Sequence, residues 1–183
     1  MKRVYDESYR HHRTGSRSTS IAALLFFSRK KIGSHGGKDM NNDFESIQIG
    51  AVLEVREQVF SERDLILGIL WEGDAQLHTN VPGMGKTSFG TTIVHGNSVT
   101  SKIIGRLFRT HFKSVEEIIV SEIDVAYLGA VHVGDTIQGK FRIEDLASPA
   151  GQSKMLSMAF EVTKNGQELV SKGSMKVEAA GNQ

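Results

Sequence analysis

Within the 26-residue segment Trp71–Gly96, WEGDAQLHTNVPGMGKTSFGTTIVHG, an acid and an imidazole stand four residues apart, Asp74 and His78. A His-Gly pair, His95-Gly96, follows 17 residues after His78 and opens an amphipathic stretch. A carboxylate and an imidazole within reach of each other move protons. A backbone N–H at a helix start stabilises a developing oxyanion. Together these are the parts needed to add or remove water beside a carbonyl. Asp74 and His78 are therefore the candidate proton-transfer groups, and Gly96 the candidate oxyanion donor. His95 is expected to serve the turn structurally, and His111 and His132 to lie on the surface.

The same segment holds a competing motif. Residues 82–88, PGMGKTS, match the end of a phosphate-binding loop, but Asn80 occupies the position where that loop needs its first glycine. A phosphate-binding loop also follows a buried strand and opens a helix on its Lys-Thr/Ser. Here polar EGDAQLHTN precedes it, and SFGTTIVHG, with glycines and β-branched residues, follows. Lys86 is expected to be a solvated loop lysine, and no nucleotide cofactor is expected.

The elements around the segment position it. Residues 52–60, VLEVREQVF, have strand character. Ser61 then caps a helix with Asp64 three residues on as the acid of a near capping box. Apolar residues at 65, 66, 67, 69, 70 and 71 predict a helix buried on most faces, ended by Gly73 so that Asp74 lies just past its C-terminus. A second helix is expected from His95-Gly96-Asn97-Ser98 to about His111, capped by Asn97 or Ser98. Its apolar stripe is Val99, Ile103, Ile104, Leu107 and Phe108. Four alternating runs follow, EEIIVSEIDVAY, DTIQGKFRIEDL, KMLSMAFEVT and ELVSKGSMKVEA, with Asn165-Gly166 as a hairpin turn between the last two. With no helix between them these strands are antiparallel neighbours. A long sheet with one apolar face must cover something, and the second helix is the candidate, giving an α+β domain with a curved sheet around one central helix. The sheet edges predict a homodimer or larger homo-oligomer.

Composition narrows the function classes. The 183-residue chain has no cysteine, which removes disulfides and thiolate metal sites. No apolar run reaches the length of a membrane span, and a cytoplasmic protein is expected. The net charge of +1 divides into a basic segment, residues 1–39 with nine Lys/Arg and three Asp/Glu, and an acidic remainder. Residues 1–39 lack periodicity and are expected to be a disordered extension, with residues 40–183 as the folded domain. No helix-turn-helix pattern or aromatic platform supports nucleic-acid binding.

Residues 44–178 resemble the MaoC-like (R)-specific enoyl-CoA hydratases of the hotdog fold. The matching features are the helix leading into Gly73-Asp74, the Leu77-His78 pair, KTSFGTTIVHG at 86–96, and the VGDTI turn at 133–137. The family loop usually reads Gly-Asp-x-Asn-Pro-x-His. Here Gly73-Asp74-Ala75-Gln76-Leu77-His78 lacks Asn-Pro and brings the acid one residue closer to the histidine, and Leu128-Gly129 stand where the family commonly has Arg-Pro. The resemblance implies reversible water addition to a trans-2-enoyl thioester of CoA or an acyl carrier protein, within fatty acid metabolism, using no metal and no further cofactor. Asp74 and His78 would bracket the water, and the Gly96 N–H would hold the enolate oxygen. The altered spacing leaves a non-catalytic acyl-thioester binder as an alternative. A hotdog thioesterase with its carboxylate on the central helix is disfavoured, because residues 97–111 contain no acid.

Overall fold

The computed structural model describes residues 19–21, 25–28, 47–69, 75–112, 117–147 and 154–180. In chain order these form strands β1 (Thr19–Ile21), β2 (Leu25–Ser28) and β3 (Val52–Val59), then helices α1 (Glu62–Ile69), α2 (Ala75–Thr79), α3 (Val81–Met84) and α4 (Gly96–His111). Strands β4 (Glu117–Tyr127), β5 (Thr136–Ala147), β6 (Lys154–Lys164) and β7 (Glu168–Ala180) complete the chain. One antiparallel sheet runs β1-β4-β7-β6-β5-β3, with β2 also paired to β4. The α+β architecture expected from the sequence is the one observed.

Alternation decides which face of the sheet is buried. Strand β6 turns Leu156, Met158, Phe160 and Val162 inward, each at most 2% exposed. Strand β4 buries Ile118 and Val120, then Ile123 and Val125, a change of parity. The register shift between Val120 and Glu122 accounts for it: one extra residue restores the apolar side chains to the inner face. Helix α4 lays Val99, Ile103, Ile104, Leu107 and Phe108 on that face, the stripe expected from its spacing. Over β5 a β-carbon at Gly139 would lie 2.6 Å from Ile103 Cγ2, so a larger residue there would push against the helix.

The turns are held by local chemistry. Asn165 and Gly166 both have positive φ, 49° and 79°, the two-residue geometry that joins strands of right-handed twist. Asn165 Oδ1 accepts from Thr136 N at 3.0 Å, and its Nδ2 donates to Asp135 Oδ1 at 2.8 Å, tying this hairpin to the turn before β5. Burial raises the Asp135 pKa. Hydrogen bonds from His132 N and Asn165 and the nearby Lys164 charge outweigh it, leaving the carboxyl below its ordinary range.

Four expectations change. Helix α1 is not buried on most faces: Ile66 and Leu67 are 61% and 53% exposed, while Leu65 and Gly68 face inward. Counting apolar residues measured composition, whereas a single helix against one layer buries one side. Residues 75–79, expected as loop, form a helical turn. The N-cap of α4 is His95, without a side-chain capping bond, in place of Asn97 or Ser98. Finally, the segment expected to be wholly disordered contributes β1 and β2. Their backbones pair with the edge of β4, which otherwise presents unpaired amides and carbonyls. The other residues of 1–39 lie outside the described residues.

Candidate active site

His78 is the fourth residue of the short helix α2 and is buried, 7% exposed. Its Nδ1 lies 2.6 Å from the carbonyl oxygen of Ile93. A carbonyl can only accept, so Nδ1 carries the proton and donates, and the unprotonated, basic nitrogen of the neutral ring is Nε2. The strand-like segment that supplies this carbonyl is itself pinned: Ile93 N donates to Leu77 O at 3.1 Å, and Val94 N to Val131 O at 2.7 Å. Fixing the carbonyl fixes the tautomer.

The chain then turns into α4 at His95, whose carbonyl accepts from Val99 N at 3.1 Å. The His95 ring, 5% exposed, stacks on the His78 ring with 3.3 Å between centroids and 24° between planes. Thus the fold brings together His78 and the His95-Gly96 pair as the sequence spacing suggested. Gly96 is the first residue of the 16-residue helix α4, where amides without intrahelical partners and the positive end of the helix dipole favour negative charge. Asp74, the expected acid, and Glu72 lie outside the described residues.

Three residues near this centre carried no assignment in the sequence. A β-carbon at Gly68 of α1 would lie 2.5 Å from His95 Nδ1 and 2.9 Å from Ser98 Oγ. A glycine inside a run of good helix formers was the available signal for such a close approach. Tyr127 at the end of β4 lies against Gly96, and its hydroxyl donates to Asn97 Oδ1 at 2.8 Å. Thr100 Oγ1, which donates to Gly96 O at 3.2 Å, is 3.4 Å from the same hydroxyl. The two histidines expected on the surface are half-buried: His111 Nε2 meets Glu54 O at 2.8 Å, and His132 packs beside Asp135. Neither adjoins His78.

A groove of about 410 Å³ on the outer face of the sheet is lined by Asp124, Lys140, Arg142, Glu161, Lys172 and Ser174, among others. None of His78, His95 or Gly96 lines it. Its charged walls and its place on the face away from α4 separate it from the histidine pair.

No family model matches the chain, and no curated protein matches it. Solved structures do. A monoamine oxidase regulatory protein from Archaeoglobus is 28% identical, with a TM-score of 0.65 over 76% of this chain and 95% of that one. The R-hydratase PhaJ1 from Pseudomonas aeruginosa, in its unliganded form, is 19% identical, with a TM-score of 0.64 over 78% and 88%. A MaoC-like dehydratase from Rhodospirillum rubrum is 10% identical, with a TM-score of 0.66 over 76% and 97%. The fold is the hotdog fold, in the form shared by MaoC-like dehydratases and (R)-hydratases.

Proposed function

We propose that this protein is an (R)-specific enoyl-CoA hydratase, adding water reversibly to a trans-2-enoyl thioester to give the 3-hydroxyacyl thioester. The observation that carries this is the pairing of His78 with the start of α4. A histidine locked in the Nδ1–H tautomer by Ile93 O stands beside the residue that precedes Gly96. The β-carbon of an enoyl thioester is electrophilic because its carbonyl can accept charge. A catalyst must therefore take a proton from water and hold the enolate oxygen at once. His78 Nε2 takes the proton as the water oxygen bonds to Cβ, Gly96 N–H holds the enolate oxygen, and the protonated His78 returns that proton to Cα on the same face, completing syn addition. Asp74 orients the water and shares the proton traffic. The acyl group arrives on CoA or on a carrier protein, and the working unit is a cytoplasmic homodimer or larger homo-oligomer. No metal or separate cofactor is required.

The shortened acid–His spacing, Asp74 to His78, favours a second reading, an acyl-thioester binder without turnover. Crotonyl-CoA separates the two. Loss of enoyl absorbance upon addition of the protein supports hydration. Saturable binding of crotonyl-CoA with the absorbance unchanged supports the binder and rejects the hydratase.

A further inference from the structure

One hydrogen bond fixes a point and a direction; it does not fix the plane of a ring. The His78 imidazole has its Nδ1 bond to Ile93 O, and its plane is set by what lies against its face. That neighbour is His95, stacked at 3.3 Å and 24°. The His95 ring is held in turn from another side. The α1 backbone at Gly68 passes so near that a β-carbon there would sit 2.5 Å from its Nδ1 and 3.2 Å from its Cε1. Its own backbone is the N-cap of α4 and cannot shift without moving the helix start.

We propose that His95 is a positioning residue for His78, with Gly68 as the wall that holds it in place. The stack sets the plane of the His78 ring and so the direction in which Nε2 meets the water. Because Gly96 is the next residue, one backbone turn fixes both the plane of the base and the direction of the oxyanion donor. Base and donor act at the two ends of one conjugated unit, Cβ and the carbonyl oxygen, so an error in their mutual geometry is felt in the rate. The catalytic half of this inference rests on the hydration function. The structural half, the clamp on His78, does not.

The test reads both halves in the full-length protein. Long-range ¹H–¹⁵N spectra of the histidine rings report the tautomer and mobility of His78 without any substrate. Initial rates with crotonyl-CoA separate kcat from KM. In His95→Ala, the His78 ring signals are expected to shift and broaden as its plane is released, with Nδ1–H still held by Ile93 O, and kcat to fall about 10- to 100-fold with KM little changed. His95→Phe, which keeps a flat ring on His78, restores the His78 spectrum and most of kcat. Gly68→Ala is the approach from the other side. In an unhindered helix that change is favourable; here it displaces His95 and reproduces the His95→Ala spectrum. Should His95→Ala not fold, Gly68→Ala and His95→Phe carry the same comparison.

An unchanged His78 spectrum in His95→Ala or Gly68→Ala overturns the clamp. Failure of His95→Phe to restore the spectrum overturns stacking as its basis. A wild-type protein that does not hydrate crotonyl-CoA rejects the hydration function, and the ring spectra then still decide the clamp.

Discussion

The ring of Tyr127 occupies the side of Gly96 on which a side chain would grow: its Cε1 lies 2.6 Å from the position of a β-carbon. Glycine at 96 is thus required by a protein contact, whatever a substrate requires of it. Tyr127 is 46% exposed, so it can swing away, breaking its hydrogen bond to Asn97 Oδ1. Gly96→Val is expected to lower Tm by several degrees, at about 2–4 °C for each kcal/mol lost in a domain of this size. Placing the same change in a Tyr127→Ala background should remove most of that loss. Activity discriminates further. If Gly96 N–H holds the oxyanion, the rate stays down by about 10²–10³ in both backgrounds. Recovery of the rate with Tyr127→Ala would place the oxyanion donor elsewhere.

The proton-transfer pair has its own signature. His78→Ala and Asp74→Asn are each expected to lower kcat by at least about 10², the scale of a general acid–base group. The double variant should be little worse than either, because groups acting as a unit are not additive. A silent Asp74→Asn beside a damaging His78→Ala would mean that the one-residue-shorter loop has withdrawn the carboxylate, and Glu72→Gln is then the variant to assay.

What could be read from the sequence was local. Ser61 and Asp64 announced their helix start because both partners lie within one turn; Ser61 N and Oγ meet Asp64 Oδ2 at 2.9 and 2.7 Å. The four long strands and the Asn165-Gly166 turn were legible because alternation and positive φ are properties of neighbouring residues. The nearness of the histidine at 78 to the helix start at Gly96 was legible from residue type and spacing. Their supports were not: Gly68 meets His95, and Tyr127 meets Gly96, across 27 and 31 residues of chain, and no periodicity encodes such contacts. The exposed Ile66 and Leu67 were misjudged for the same reason, since burial depends on which side of α1 has a neighbour.

Strands β1 and β2 alter what truncation should do. A chain starting at Met40 keeps the sheet, because β4 pairs with β7 from Glu117–Ala180 to Tyr127–Ser171. It loses the two short strands that cover the other side of β4, at Ile21–Ile123 and Leu25–Val120 among others. An uncovered strand edge recruits further strands. The truncated chain is therefore expected to show a larger mass, or a stronger dependence of mass on concentration, in light scattering than the full chain. Equal masses at all concentrations would show that β1 and β2 do not shield that edge.

Asp64 makes stability depend on pH in a direction that can be worked out. Burial raises its pKa, but the bonds from Ser61 N and Oγ and from Lys102 outweigh that, so the folded value lies below the ordinary 3.8. Lys102 Nζ, 3.0 Å from Asp64 Oδ2, also donates to Val59 O at 2.7 Å and lies 4.4 Å above the Phe60 ring. The carboxylate therefore joins α4 to the junction of β3 and α1. A depressed folded value means that the native state prefers the charged form. Its contribution is complete above the unfolded value and disappears as the pH falls through the folded one. Asp64→Ala is expected to lose about 1 kcal/mol at pH 7, the usual effect of removing a helix-start hydrogen bond. In urea titrations that difference should hold from pH 7 to pH 5 and shrink below about pH 4, where the unfolded wild-type chain begins to take up its proton. A difference that stays constant down to pH 3, or that is absent at pH 7, would mean that the charge on Asp64 does not hold this junction.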